Sequence, residues 1–175
     1  AEALLRNVMR NARLALQKPA DYDVRAEIMW AGTLSHNDIT GDRSQGDWAS
    51  HQLEHELGGM FDIAHGAGLA AIWGSWARYV LKQNPCRFAQ LAVNVLNVPY
   101  SFGNDEKTAL EGIAAMEDFF RSIGMPTSIS DMEIELTDTQ IKELAHKCSF
   151  MGRRTIGGFV TLNAADMENI YWMAR

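Results

Sequence analysis

The sequence predicts an all-α fold, and three observations carry that expectation. Apolar residues recur about every three to four positions along most of the chain, the period of a helix with one buried face. Asp, Asn or Thr stands before several of these stretches, and Gly or Pro after them, as helix starts and stops require. No series of alternating apolar and polar runs lies between them, so nothing supplies the strands of a doubly wound sheet. The 175 residues suffice for one domain with a real core, and 47% hydrophobic with 22% charged residues is a globular balance. A single helical domain over residues 1–175 is expected.

Each element has its own signal. The first helix carries Leu4, Leu5, Val8, Met9, Ala12 and Leu16 on one side and ends near Lys18-Pro19. Asp21 or Asp23 caps a second helix through VRAEIMWAGTLSHN, and GDRSQGD is a polar loop. Asp47 caps a third helix, which the pair Gly58-Gly59 weakens and is expected to break. A fourth runs from about Ala64 to Lys82 and is stopped by Asn84-Pro85; the short apolar helix RFAQLAVNVLNV then ends at Pro99. NDEKTALEGIAAMEDFFRSIG is acidic at its start and is closed by Gly124 and Pro126. Thr137 or Asp138 caps TQIKELAHKC, and Asn163 caps AADMENIYWMAR with Asp166 in its first turn. RTIGGFVTL is a loop or a short extended piece.

Composition narrows the function. A formal charge of -6 points away from a nucleic-acid partner. Two cysteines, Cys86 and Cys148, make no disulfide scaffold, and a reducing cytoplasm fits. No apolar run approaches the roughly 18 residues of a membrane helix, so no membrane partner is expected. The chain opens without Met, inside an apolar rhythm with no cap residue before it. That opening suggests the C-terminal part of a longer protein.

WASHQLEHELGGMFDIAHGAG, from Trp48 to Gly68, holds three of the five histidines. His51 and His55 share a helix face about one turn apart, so both can meet one metal ion, or one can bind while the other works beside it. His65 comes near the start of the next helix, and a hairpin folds it back toward His51. Glycines at 58, 59, 66 and 68 allow two backbones to approach closely there, or serve helix packing. His36 and His146, each alone on its helix, are expected to be core residues. His51-Gln52-Leu53-Glu54-His55 also reads HxxEH, the inverted zinc-protease motif. That reading needs a later acidic ligand, for which Glu133 or Glu135 is available, and it gives His65 no role.

The stretch resembles the second signature of the iron-containing alcohol dehydrogenases. The matching residues are Trp48, Ser50 and His51, then Glu54-His55, Leu57-Gly58-Gly59 and Ile63, then His65, Gly66 and Gly68. Within that family it looks like the butanol dehydrogenase and aldehyde reductase branch. The likeness extends to LLRNVMRNARLALQKPADYDVRAEIMWAGTL and to GGFVTLNAADMENIY.

The resemblance implies a two-domain enzyme of the dehydroquinate synthase-like fold. An N-terminal domain binds NAD or NADP, and a helical C-terminal domain holds a divalent metal, Fe2+ or Zn2+, through one Asp and three His. Residue by residue, it makes His51 and His65 metal ligands and His55 a proton relay. It implies hydride transfer between NAD(P)H and a small aldehyde or primary alcohol, and a homodimer. The remaining Asp-xxx-His ligand pair is expected upstream of Ala1. No nucleotide fingerprint occurs here, so no cofactor-binding residue is assigned and the fragment alone is not expected to be active. Glu54 and Glu56 are candidates to orient an imidazole, or belong to a solvated helix face. Trp48 and Phe61 are candidates for an apolar substrate pocket. The rivals are an HxxEH metalloprotease and a helical domain without catalysis.

Overall fold

The computed structural model describes residues 1–41 and 46–175, so most of the expected GDRSQGD loop lies outside the described residues. Eight α-helices occur among them: α1 (Glu2–Gln17), α2 (Tyr22–His36), α3 (Ala49–Phe61), α4 (His65–Val80), α5 (Pro85–Leu96), α6 (Asp105–Ser122), α7 (Asp138–Cys148) and α8 (Ala164–Ala174). Among the described residues the only β-pairing is an isolated bridge between Ile156 and Leu162, within the segment read as a short extended piece. No described helix is long and apolar enough to cross a membrane. Both cysteines are free thiols.

The chain divides into two compact units, Ala1–Ser44 with Cys86–Ile123, and Gln45–Pro85 with Gly124–Arg175. The first holds α1, α2, α5 and α6. Asp21 caps α2 by accepting from the Val24 amide, and Asn104 caps α6 by accepting from that of Lys107. Gln90 and Asn94 of α5 both donate to the Glu2 carboxylate of α1, and Arg6 donates to the Asn94 carbonyl. Gly112 of α6 is pressed against Ala92 of α5, so that a Cβ there would come within 3.0 Å of the Ala92 Cα. Pro85 does not simply stop the preceding helix. It opens α5, at the first helical position, where the missing N–H costs nothing.

In the second unit α3 packs on α4, α4 on α8, α8 on α7 and α7 on α3, closing a four-helix circuit. Its centre is filled by Leu53, Leu57, Ile72, Leu144, Met167 and Ile170, none more than 1% exposed. Two capping boxes start α7 and α8: Thr137 with Gln140, and Asn163 with Asp166. α3 runs unbroken through Gly58 and Gly59 and stops at Asp62, which adopts a left-handed conformation while its amide bonds to the Gly58 carbonyl. The interior glycines weaken the helix but do not break it, because each costs only about 1 kcal/mol against alanine and the packed face of Leu53 and Leu57 exceeds that.

Two expectations fail. His36 and His146 are exposed, not core. Each lies in the last turn of its helix, α2 or α7, where an imidazole complements the negative helix end.

Candidate metal centre

α3 and α4 form a hairpin whose turn is Asp62–Ala64, and the three clustered histidines meet across it. Leu53 and Leu57 point α3 into the core. His51 and His55 occupy the flank beside that face, one turn apart, and His65 is the first residue of α4. Ring centroids of His51 and His65 lie 5.4 Å apart, those of His55 and His65 also 5.4 Å, and those of His51 and His55 6.3 Å. Trp48 meets His51 edge-on with centroids 4.9 Å apart.

Behind this triangle lies a buried carboxylate. Glu54 is 2% exposed, and its Oε2 is hydrogen-bonded to Nδ1 of His65, whose own side chain is 52% exposed. Donor atoms of Glu54, His55 and His65 all lie within 4.8 Å of one another. His51, expected as a ligand, lies outside this donor group, and His55, expected as a relay, lies inside it. Imidazole and carboxylate are donor types that suit a borderline divalent ion such as iron or zinc.

Two elements hold α3 from the far side. The Tyr171 hydroxyl of α8 donates to the Leu53 carbonyl over 2.6 Å, and Cys148 of α7 donates to that of Gln52 over 3.4 Å. Burial pushes the Tyr171 phenol well above its ordinary pKa and the Cys148 thiol up to about 11. Asp47 anchors the start of α3. It does not hold the N-cap position expected from the sequence; Trp48 does, and makes no side-chain capping bond. From one position earlier the Asp47 Oδ1 accepts from the Ala49 amide, and its Oδ2 accepts from the amides of Gly158 and Phe159 in the α7–α8 connection.

Beside the histidines is a pocket of about 340 Å³ lined by Trp48, His51, Gln52, His55, Glu56, Phe150 and Arg154. Trp48 thus reaches the pocket and Phe61 does not. Gln52 and Glu56 lie one position after His51 and His55, so a helical wheel finds them. Phe150 and Arg154 carry no local signal. They arrive because Phe150, Met151 and Gly152 take three successive left-handed conformations that turn the chain back after α7. Arg154 is then held by its Nε donating to the Cys148 carbonyl over 2.7 Å and by stacking over the Phe150 ring at 3.5 Å.

The protease reading loses its parts here. A general base must face water, whereas Glu54 is buried and bonded to His65. Neither Glu133 nor Glu135 joins the donor group.

The profile of the Fe-containing alcohol dehydrogenase family, C-terminal, matches residues 1–174. The chain is 37% identical over 169 residues to the probable NADH-dependent butanol dehydrogenase 1 of Bacillus subtilis, covering 97% of this chain and 43% of that protein. It is 31% identical to the NADPH-dependent aldehyde reductase YqhD of Escherichia coli, covering 100% of this chain and 44% of that one. The structure is similar to the crystal structure of NADH-dependent butanol dehydrogenase A from Thermotoga maritima, with a TM-score of 0.90 at 29% identity over 99% of this chain and 44% of that one. The chain spans less than half the length of these relatives. With a matching profile over almost its whole length, it belongs to the Fe-containing alcohol dehydrogenase family, as the C-terminal, helical domain.

Proposed function

We propose that this chain is the metal-holding half of an NAD(P)H-dependent alcohol dehydrogenase or aldehyde reductase, with a nucleotide-binding domain supplied by sequence upstream. The observation that carries the reading is the convergence of His51, His55 and His65 from two helices, beside a pocket of about 340 Å³. The relatives named for butanol and aldehyde chemistry support a small aldehyde or primary alcohol as substrate.

In this reading, which follows the family resemblance, His51 and His65 would hold the ion, Fe2+ or Zn2+, together with ligands from the upstream sequence. The bound metal supplies Lewis-acid polarisation of the substrate oxygen. His55 is exposed and lines the pocket, so it is placed to carry the proton. A bound NAD(P)H would supply the hydride, and His55 would take a proton from solvent at one ring nitrogen and pass it to the substrate oxygen from the other. Trp48 and Phe150 line the pocket with aromatic surface.

The test is turnover by the full-length enzyme, followed as NADH and NADPH oxidation with butanal, before and after chelation. Aldehyde-dependent oxidation that chelation abolishes is expected. Metal uptake without turnover contradicts the reaction, and neither one leaves a helical domain kept for its fold.

A further inference from the structure

An acidic side chain on the core side of a helix demands an explanation, because burying a carboxylate costs several kcal/mol unless its oxygens are bonded. Glu54 is 2% exposed. Its bond to His65 Nδ1 is the compensation the structure shows. The surrounding backbone is shaped to admit it. A Cβ on Gly68 of α4 would lie 2.7 Å from both Cγ and Oε1 of Glu54 and 2.9 Å from Cδ1 of Ile63, and one on Gly58 would lie 3.0 Å from Oε1. Gly59 and Gly66 have nothing within 4 Å at the same position. The four glycines of the motif therefore divide: Gly58 and Gly68 make room for a carboxylate, and the other two do not.

We propose that Glu54 is the positioning residue of the metal centre: it accepts a hydrogen bond from His65 Nδ1–H, and Gly68 is glycine so that this carboxylate fits. The proposal rests on the reading of His65 as a ligand and deepens it. With the proton fixed on Nδ1, the lone pair is fixed on Nε2, and the ring cannot rotate away from the ion. A carboxylate behind a ligating imidazole also raises its basicity. Direct ligation by Glu54 is the competing role for the same group. It fits less well, since Oε2 is spent on His65 and Oε1 faces the two glycines.

Two measurements on the full-length protein decide it. The first uses ring nitrogen resonances of His65 in chelator-treated protein at pH 8, which report the tautomer without any metal. Wild type is expected to carry the proton on Nδ1, and E54A to lose that preference. The second is Zn2+ affinity of the chelator-treated protein. E54A is expected to bind about 10- to 100-fold more weakly, and E54Q, which keeps an acceptor and the volume, to recover part of the loss. G68A is expected to weaken binding as E54A does, because its methyl presses on the Glu54 side chain. If E54A is too unstable to study, E54Q and G68A carry the same comparison.

An Nε2–H tautomer in wild type overturns the role whatever the metal does, and so does a Zn2+ affinity that neither E54A nor G68A changes. E54A and E54Q both losing binding as completely as H65A make Glu54 a ligand and overturn the role as well. Wild type with the Nδ1–H tautomer but no Zn2+ uptake overturns instead the metal-centre reading beneath it.

Discussion

The Tyr171 hydroxyl donates to the backbone carbonyl of Leu53 across 2.6 Å, and both side chains are fully buried. Leu53 lies between His51 and His55 in sequence, so this bond fixes the backbone of the helix that presents them. Cys148 does the same one residue earlier, at Gln52.

These two groups give the second unit an alkaline limit. Both are acids held neutral by burial, so their folded pKa values lie above the ordinary 10.0 for Tyr171 and 9.0 for Cys148, the latter at about 11. Below pH 9 both states keep the protons and stability is unaffected. Above it the unfolded chain binds fewer protons than the folded one, so stability falls as pH rises. The urea midpoint is expected to drop from pH 9 upward. C148A should remove the part between pH 9 and 11, and Y171F the part beginning at 10. At pH 7, Y171F is expected to cost about 1 kcal/mol, the net worth of one hydrogen bond.

Two glycine substitutions should move stability in opposite directions. Gly59 is helical with open space where a Cβ would go, so G59A is expected to stabilise by about 0.5–1 kcal/mol. G112A forces a methyl onto Ala92 across the α5–α6 contact and is expected to cost about 1–3 kcal/mol. Thermal midpoints of the two variants check both signs.

Asp47 joins the start of α3 to the α7–α8 connection through three amides, those of Ala49, Gly158 and Phe159. D47A leaves all three without this acceptor. It is expected to destabilise by about 1–3 kcal/mol and to speed hydrogen exchange at Gly158 and Phe159. D47N keeps one strong acceptor and should recover part of the loss.

Much of this was legible in the sequence, because helix ends are written in local chemistry. Asp21, Thr137 and Asn163 cap as expected, and Gly124, with φ of +76°, follows α6. The histidine cluster was legible too, since spacing along α3 and one tight hairpin suffice to bring His51, His55 and His65 together. What failed depended on tertiary context. Whether Gly58 and Gly59 break a helix depends on what packs beside them, and Gly58 faces Glu54. Whether Glu54 or Glu56 backs an imidazole depends on which face α4 covers, and only Glu54 is buried. Phe150 and Arg154 reach the pocket through left-handed conformations at two non-glycine residues, which no composition signal announces.

The central claim is a division of labour: His51 and His65 hold a metal, and His55 carries the proton. Metal content of the full-length enzyme and its H51A, H55A and H65A variants, measured by elemental analysis beside turnover with butanal, tests it most directly. The account predicts about one iron or zinc per chain in wild type. H51A and H65A should lose most of it, while H55A keeps it and loses rate by about 100- to 10,000-fold. Metal lost from H55A but kept by H51A would contradict the assignment and make His55 the ligand.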